Sequence, residues 1–210
     1  MDLKTAAFVF SILVSAVAAV TAEVRNQKLL GYFFRPFTII LMIGLLFEAR
    51  PWSFYRNALL IGLIFCLLGE TMMMLRNKKF LAGLTFFLAA LLVFSAAFLS
   101  RLTGNFSKWP VIPLVLLAAS VLYLIWPNLR RLRLPVFFYL LALLTMSRLA
   151  LEMPHQVEGY RAWLAAAGGL FFLISDALLA LNRFYRTFRL AQVFILSSFY
   201  LSLLLISLSV

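Results

Sequence analysis

The chain consists of long apolar runs separated by short polar segments. A membrane-spanning helix needs about 20 mostly apolar residues, and a helix satisfies its own backbone hydrogen bonds inside lipid. We therefore predict a bundle of eight transmembrane helices. The runs cover Thr5 to Thr21, Phe34 to Phe47, Ala58 to Leu75, Phe80 to Leu99, Val111 to Trp126, Pro135 to Leu151, Trp163 to Leu181 and Leu190 to Val210.

Two of the runs have alternative interpretations. The second is short, so the helix either extends back over Leu29 to Tyr32 or is tilted and interrupted near Pro36. The first follows Lys4 and ends in Val20-Thr21-Ala22, a pattern that is also found in cleavable signal peptides. We favour a first helix that is retained in the membrane.

Composition excludes a soluble fold. Hydrophobic residues make up 65% of the chain and charged residues 12%. In globular domains about 45–50% of the residues are apolar and about 25% are charged. We predict an all-α polytopic membrane protein with one integral membrane domain over residues 1–210. The single cysteine, Cys66, excludes an internal disulfide, and the single histidine, His155, argues against a histidine-rich metal centre. No metal or other cofactor is expected.

The net charge of +12 raises the question of nucleic acid. The basic residues lie between the apolar runs rather than on one helix face, so they indicate membrane topology, and no nucleic-acid partner is expected. Membrane lipids are the expected partners, with anionic head groups a secondary possibility. No oligomeric state follows from the sequence.

Alternate loops differ in their content of basic residues, which accumulate on the cytoplasmic side of plasma (inner) membrane proteins. We predict that the richer side is cytoplasmic and that both termini lie outside. The richer side has Arg25, Lys28, Arg35, Arg76, Lys78, Lys79, Arg130, Arg131, Arg133, Arg183, Arg186 and Arg189, and the other has Lys4, Arg50, Arg56, Arg101, Lys108, Arg148 and Arg161.

A faint internal repeat relates two segments of the chain. Gly62 to Leu75 can be aligned with Gly168 to Leu181, and the alignment brings Glu70 and Asp176 into register. Because the shift spans four helices, the two halves would be parallel four-helix repeats. Chance similarity between two Leu- and Phe-rich helices is the alternative.

Glu70 and Asp176 are the acids that lie inside apolar runs. A charge at the bilayer centre costs about 2.5–3.5 kcal/mol, so such residues have either a function or a structural partner. Each lies roughly 8–9 Å from the cytoplasmic end of its helix, at 1.5 Å per residue. They therefore occupy the same layer, which favours an acid/base pair with one protonated and one ionised carboxyl.

Other polar side chains are predicted at the same depth or just above it. A pocket open to the cytoplasm would include Thr38 and Tyr139, with Arg35, Asn182 and Arg183 at its mouth. The alternative is structural: either acid bonds to Thr38, Tyr139 or an arginine and holds helices together.

The residues around these positions resemble a known family. Arg35-Pro36-Phe37-Thr38, GLIFCLLGETMMML, FLAGLTFFLAALL, LRLPVFFY and especially GGLFFLISDALLALNRF are similar to segments of the YhhN-type lysoplasmalogenase family of membrane proteins. The resemblance covers nearly the whole chain and preserves the order of the motifs.

The resemblance implies an eight-helix hydrolase that cleaves the vinyl ether bond of lysoplasmalogen, a lysophospholipid, to a fatty aldehyde and a glycerophospho-alcohol. The paired acids of the family would correspond to Glu70 and Asp176, and its basic-Pro-x-Thr motif to Arg35, Pro36 and Thr38. The family usually has Asp at the position of Glu70. It has His and Tyr where this chain has Ala90 and Val93.

Vinyl ether hydrolysis suits two carboxyls. A neutral acid can protonate carbon, and a carboxylate can stabilise the resulting oxocarbenium-like cation or activate water, as in glycosidases. The phosphate of the substrate would meet Arg35 and Arg183. Two alternatives remain: a proton- or cation-coupled transporter, and a lipid-binding relative without turnover, which Ala90 and Val93 would suggest.

Overall fold

The computed structural model of the protein describes residues 3–48, 52–75, 80–104, 106–107, 109–188 and 190–210. Several of the basic residues used to predict topology lie outside the described residues, namely Arg50, Arg76, Lys78, Lys79, Lys108 and Arg189.

Within these ranges the chain forms eight helices and no strand, and every helix is long and apolar enough to span a membrane. The predicted all-α polytopic fold is therefore confirmed. The helices are α1 Leu3–Val24, α2 Lys28–Glu48, α3 Phe54–Met74, α4 Phe80–Leu99, α5 Val111–Ile125, α6 Arg133–Gln156, α7 Tyr160–Phe184 and α8 Ala191–Leu208. Two short 3₁₀ turns, Trp126–Asn128 and Arg130–Leu132, connect α5 to α6.

The second helix resolves one of the alternatives left by the sequence. It begins at Lys28 and contains Pro36 in its interior, so the short apolar run does extend back over Leu29 to Tyr32. A proline is tolerated in a membrane helix because neighbouring groups satisfy the freed backbone carbonyl. Helix α3 also begins earlier than its apolar run, because the Ser53 side chain caps it by accepting a hydrogen bond from the Arg56 backbone N–H at 3.2 Å.

All the helices except α5 are arranged in a ring, and α8 closes it by packing on α1. Sequential pairs α1–α2, α2–α3 and α3–α4 pack together, α4 packs on α6, and α6, α7 and α8 follow in order. Helix α8 also contacts α1, α2 and α3, and it has the largest buried share of the eight spans in the described chain. Helix α5 packs against the outside of α6 and α7 and has the smallest buried share.

Successive helices alternate in direction, so the loops α1–α2, α3–α4, α5–α6 and α7–α8 share one end of the bundle, which we call the basic end. Hydrogen bonds between residues at or near this end support the assignment: the Tyr32 hydroxyl donates to the Met74 carbonyl at 3.0 Å, and the Asn128 amide donates to the Phe184 carbonyl at 2.6 Å. Both described chain ends lie at the other end. That the basic end faces the cytoplasm remains a prediction.

The two segments of the faint repeat are packed in a similar way. Gly62 lies against the Phe94 ring of the following helix, α4, and its counterpart Gly168 lies against Ile206 of α8. The similarity does not extend to the preceding helices, since α1 and α2 pack closely whereas α5 and α6 touch little. Duplication of four whole helices therefore remains a prediction.

Replacing Gly168 by Ala should destabilise the bundle. A Cβ atom there would lie 2.7 Å from Ile206 Cγ1 and 3.1 Å from both the Ile206 nitrogen and the Ser202 carbonyl oxygen. Backbone atoms cannot move aside cheaply, so we expect a loss of about 1–3 kcal/mol in unfolding free energy, measured by SDS titration in mixed micelles. Gly31→Ala is the control, because its Cβ would meet nothing within 4 Å. Equal stability of the two variants would contradict the close α7–α8 packing.

Candidate functional site

A cavity of about 510 Å³ lies at the basic end, between α3, α4, α7 and α8, with α2 at one side. It reaches the surface where the exposed residues Arg183 and Thr187 line it. Its wall is mixed, because the rings of Phe80, Phe87 and Phe199 stand beside charged groups. The predicted site residues that line it are Arg35, Glu70, Asp176, Asn182 and Arg183.

Glu70 forms an ion pair with Arg35. Its Oε1 atom lies 3.3 Å from Arg35 Nη1, while Arg35 Nη2 lies 2.6 Å from Oε2 of Glu23 on α1. The side chains of Glu70 and Arg35 are only 8% and 13% exposed. One buried guanidinium therefore joins two carboxylates from two other helices, and it is not a free cation at the mouth of the cavity.

Asp176 has a different partner. Its Oδ2 atom accepts a hydrogen bond of 2.5 Å from the Tyr139 hydroxyl, and both side chains are buried. Among the ion pairs of the described chain, none includes Asp176. The two carboxyls thus share one cavity but differ in their environment, one beside a cation and one beside a phenol.

Two predicted members of the pocket lie elsewhere. Thr38 is fully buried away from the cavity, where its hydroxyl bonds to Ser15 of α1 at 2.8 Å and to the Phe34 carbonyl at 2.7 Å. Tyr139 lies behind Asp176 and lines a neighbouring apolar pocket instead. Each acid therefore has one of the structural partners that the alternative interpretation named, and also an accessible cavity.

The positions that depart from the family pattern lie away from the cavity wall. Ala90 is fully buried in α4, Val93 is half-buried, and neither lines the cavity, whereas Phe87 one turn earlier does. A histidine at position 90 would therefore need space that the packed core does not now provide.

Sequence reasoning missed three residues. Glu23 bonds to Arg35, and Gln192 of α8 lines the cavity. The Tyr200 hydroxyl of α8 is buried and has no hydrogen-bond partner in the described part of the chain. Glu23 was detectable as the one acid of α1, but its position near a helix end is typical of a solvated residue.

The wall of this cavity offers both polar and apolar contacts. Carboxyl, guanidinium and amide groups can bind a polar head, and the aromatic and aliphatic wall can bind a hydrocarbon segment. Among the described residues, no cluster of three or more His, Cys, Asp or Glu side chains could hold a metal ion.

Comparison with known proteins identifies relatives of this chain. The sequence profile of the YhhN family matches residues 30–210, which leaves α1 outside the match. The chain is 28% identical over 181 residues to proteins named uncharacterized membrane protein YhhN from Escherichia coli O6:H1, Escherichia coli O157:H7 and Shigella flexneri. The aligned part covers 85% of this chain and 86% of each relative. No solved structure matches the chain.

The profile match confirms the resemblance read from the motifs around Arg35, Glu70 and Asp176, since all three lie within the matched residues. The bundle of eight apolar helices agrees with relatives that are membrane proteins. The chain therefore belongs to the YhhN family of membrane proteins.

Proposed function

We propose that this chain is a lysoplasmalogenase-like hydrolase that cleaves the vinyl ether bond of lysoplasmalogen or a related lysolipid. The observation that carries the proposal is the pair of buried carboxyls, Glu70 and Asp176, in the wall of one cavity that is both polar and apolar. Catalytic acids of hydrolases act in such water-restricted sites, where two carboxyls in different environments take different roles.

Asp176 is the better candidate for the proton donor. No cation pairs with it among the described residues, so it can be neutral, whereas Arg35 pairs with Glu70 and favours its carboxylate form. The Tyr139 hydroxyl bonds to Oδ2 and fixes the orientation of the acid. The proton would then leave from Oδ1 toward the cavity.

The chemical steps need only these groups and water. Asp176 transfers its proton to the vinyl carbon farther from the ether oxygen, and the π electrons of the double bond form the new C–H bond. The resulting oxocarbenium ion is stabilised by the negative charge of Glu70. Water adds to the cationic carbon and loses a proton to a carboxylate. In the hemiacetal, the bond between this carbon and the glycerol oxygen then breaks as the hydroxyl group loses its proton to a carboxylate. The glycerol oxygen takes up a proton, which gives a fatty aldehyde and a glycerophospho-alcohol.

The polar head of the substrate would be held at the mouth of the cavity. Arg183 is exposed and lines the cavity beside Asn182, so its guanidinium can bind phosphate. Its guanidinium carbon lies 4.9 Å from the centre of the Phe80 ring, which holds it near the mouth. Because Arg35 is engaged with two carboxylates, Arg183 is the stronger candidate for the head group.

The proposal is tested by aldehyde release from lysoplasmalogen by the purified protein in lipid nanodiscs. We expect aldehyde from the vinyl ether substrate and none from the saturated alkyl ether analogue, which has no double bond to protonate. Failure to release aldehyde, or release at the same rate from heat-denatured protein, would contradict the proposal. Substrate uptake into proteoliposomes without product would instead favour the transporter.

A further inference from the structure

A second, apolar pocket adjoins the main cavity. It is a slot of about 60 Å³ between α5 on one side and α4, α6 and α7 on the other, and its wall is almost entirely apolar. The two spaces share four lining residues, namely Phe80, Asp176, Leu179 and Arg183. Asp176 therefore lies on the boundary between a polar space and an apolar one.

We propose that this slot binds the single hydrocarbon chain of an amphiphile whose polar head occupies the main cavity. The identification of that amphiphile as a lysolipid rests on the function proposed above, but the chain site rests on the geometry. In an ether lysolipid the bond between head and tail is also the boundary between polar and apolar parts. A chain in the slot would bring this bond beside the carboxyl of Asp176.

The size of the slot favours one chain. Its free space of about 60 Å³ is a few times the roughly 10–15 Å³ that one water-sized sphere occupies, so without widening it admits only the first few methylenes of one chain. Buried side chains such as Ala118, Val121 and Leu173 line it. The other space beside Asp176 is the main cavity, whose wall includes the charged residues Arg35, Glu70 and Arg183. It therefore suits the polar head better than a second chain. We therefore expect the site to bind lipids with one chain in preference to lipids with two.

The slot also has a path to the membrane. Leu117 of α5 lines it and is 41% exposed on the outside of the bundle. Helix α5 is the least buried span of the described chain and packs mainly on α6 and α7. A small outward movement of α5 would widen the slot, so a chain can enter sideways from the lipid.

Photocrosslinking of the intact protein tests the site without any turnover. The probe is a saturated alkyl ether lysophospholipid with a diazirine midway along its chain, which the proposed reaction cannot cleave. We expect crosslinks on slot residues of α5, α6 and α7, reduced by excess unlabelled probe. Crosslinks confined to the lipid-facing surface, or to the groove between α1 and α8, would overturn the proposal.

Adjacent residues on α5 provide a matched pair of variants. Ala118 is buried in the slot wall, whereas Ala119 is exposed and does not line the slot. Each buried methylene contributes about fourfold in affinity. Ala118→Phe should therefore weaken binding of the long-chain probe by about tenfold or more and leave binding of a glycerophospho-alcohol, which has no hydrocarbon chain, unchanged. The Ala119→Phe protein should bind both ligands with the affinity of the wild-type protein.

The outcomes separate this inference from the hydrolase proposal. Slot crosslinks without any aldehyde release would support the chain site and reject the hydrolase. Aldehyde release with crosslinks elsewhere would support the hydrolase and reject the chain site. If Ala118→Phe does not fold, crosslinking of the wild-type protein decides alone. If it folds and binds the long chain as well as wild type, the slot is not the chain site.

Discussion

Replacing Asp176 by Asn should lower aldehyde release from lysoplasmalogen by about 10²- to 10⁴-fold, the usual contribution of a general acid. The bundle should remain folded. Asparagine has nearly the same shape and can still accept the hydrogen bond from Tyr139. It cannot donate an acidic proton to carbon. The rate should therefore fall without a comparable loss in binding of the uncleavable alkyl ether analogue.

The matched control for this variant is Glu158→Gln, which removes an exposed acid in the loop before α7 and should leave the rate unchanged. Glu70→Gln should also lower the rate, but part of its effect would come from the loss of the ion pair with Arg35. A fully active Asp176→Asn protein would remove Asp176 from the mechanism.

Replacing Arg35 by Gln should strongly destabilise the bundle. The change leaves the carboxylates of Glu70 and Glu23 without the cation that lies between them. Removing one partner of a buried pair typically costs about 3–5 kcal/mol. Since Glu23 is 36% exposed and is screened by solvent, most of the cost should come from Glu70. Unfolding free energies in mixed micelles measure it.

Two further variants show whether the uncompensated charge causes the loss of stability in Arg35→Gln. Arg35→Gln combined with Glu70→Gln should recover part of the lost stability, because the buried uncompensated charge is gone. Lys4→Gln breaks an exposed pair with Glu48, at 4.0 Å, and should change stability by less than about 1 kcal/mol. A mild Arg35→Gln phenotype with no rescue would show that Arg35 does not hold these helices together.

The apolar pattern predicted the fold because lipid imposes one rule along the whole chain. Every span must be helical and apolar, so the runs alone indicated eight helices. The pattern was less accurate at the ends, where capping and amphipathic side chains extend a helix beyond its apolar core. Helix α3, for example, begins at Phe54 because Ser53 caps it, although its apolar run begins at Ala58.

The sequence predicted the depth of the site residues in the membrane, but not which side chains bond to one another. Counting residues from a helix end gives the layer in which Glu70 and Asp176 lie, and the structure has both in the wall of one cavity. Counting residues does not give the direction in which a side chain points. Thr38 therefore bonds to Ser15 rather than lining the cavity. The role of Glu23 was also missed, because it depends on how α1 packs against α2.

Hydrolysis in deuterated water tests the central claim most directly. If a carboxyl protonates the vinyl carbon, the released aldehyde should have one deuterium on the carbon next to the carbonyl, as detected by mass spectrometry. Aldehyde standards incubated with the Asp176→Asn protein correct for exchange after release. Aldehyde without this deuterium, or no aldehyde at all, would contradict carbon protonation by the acids of the cavity.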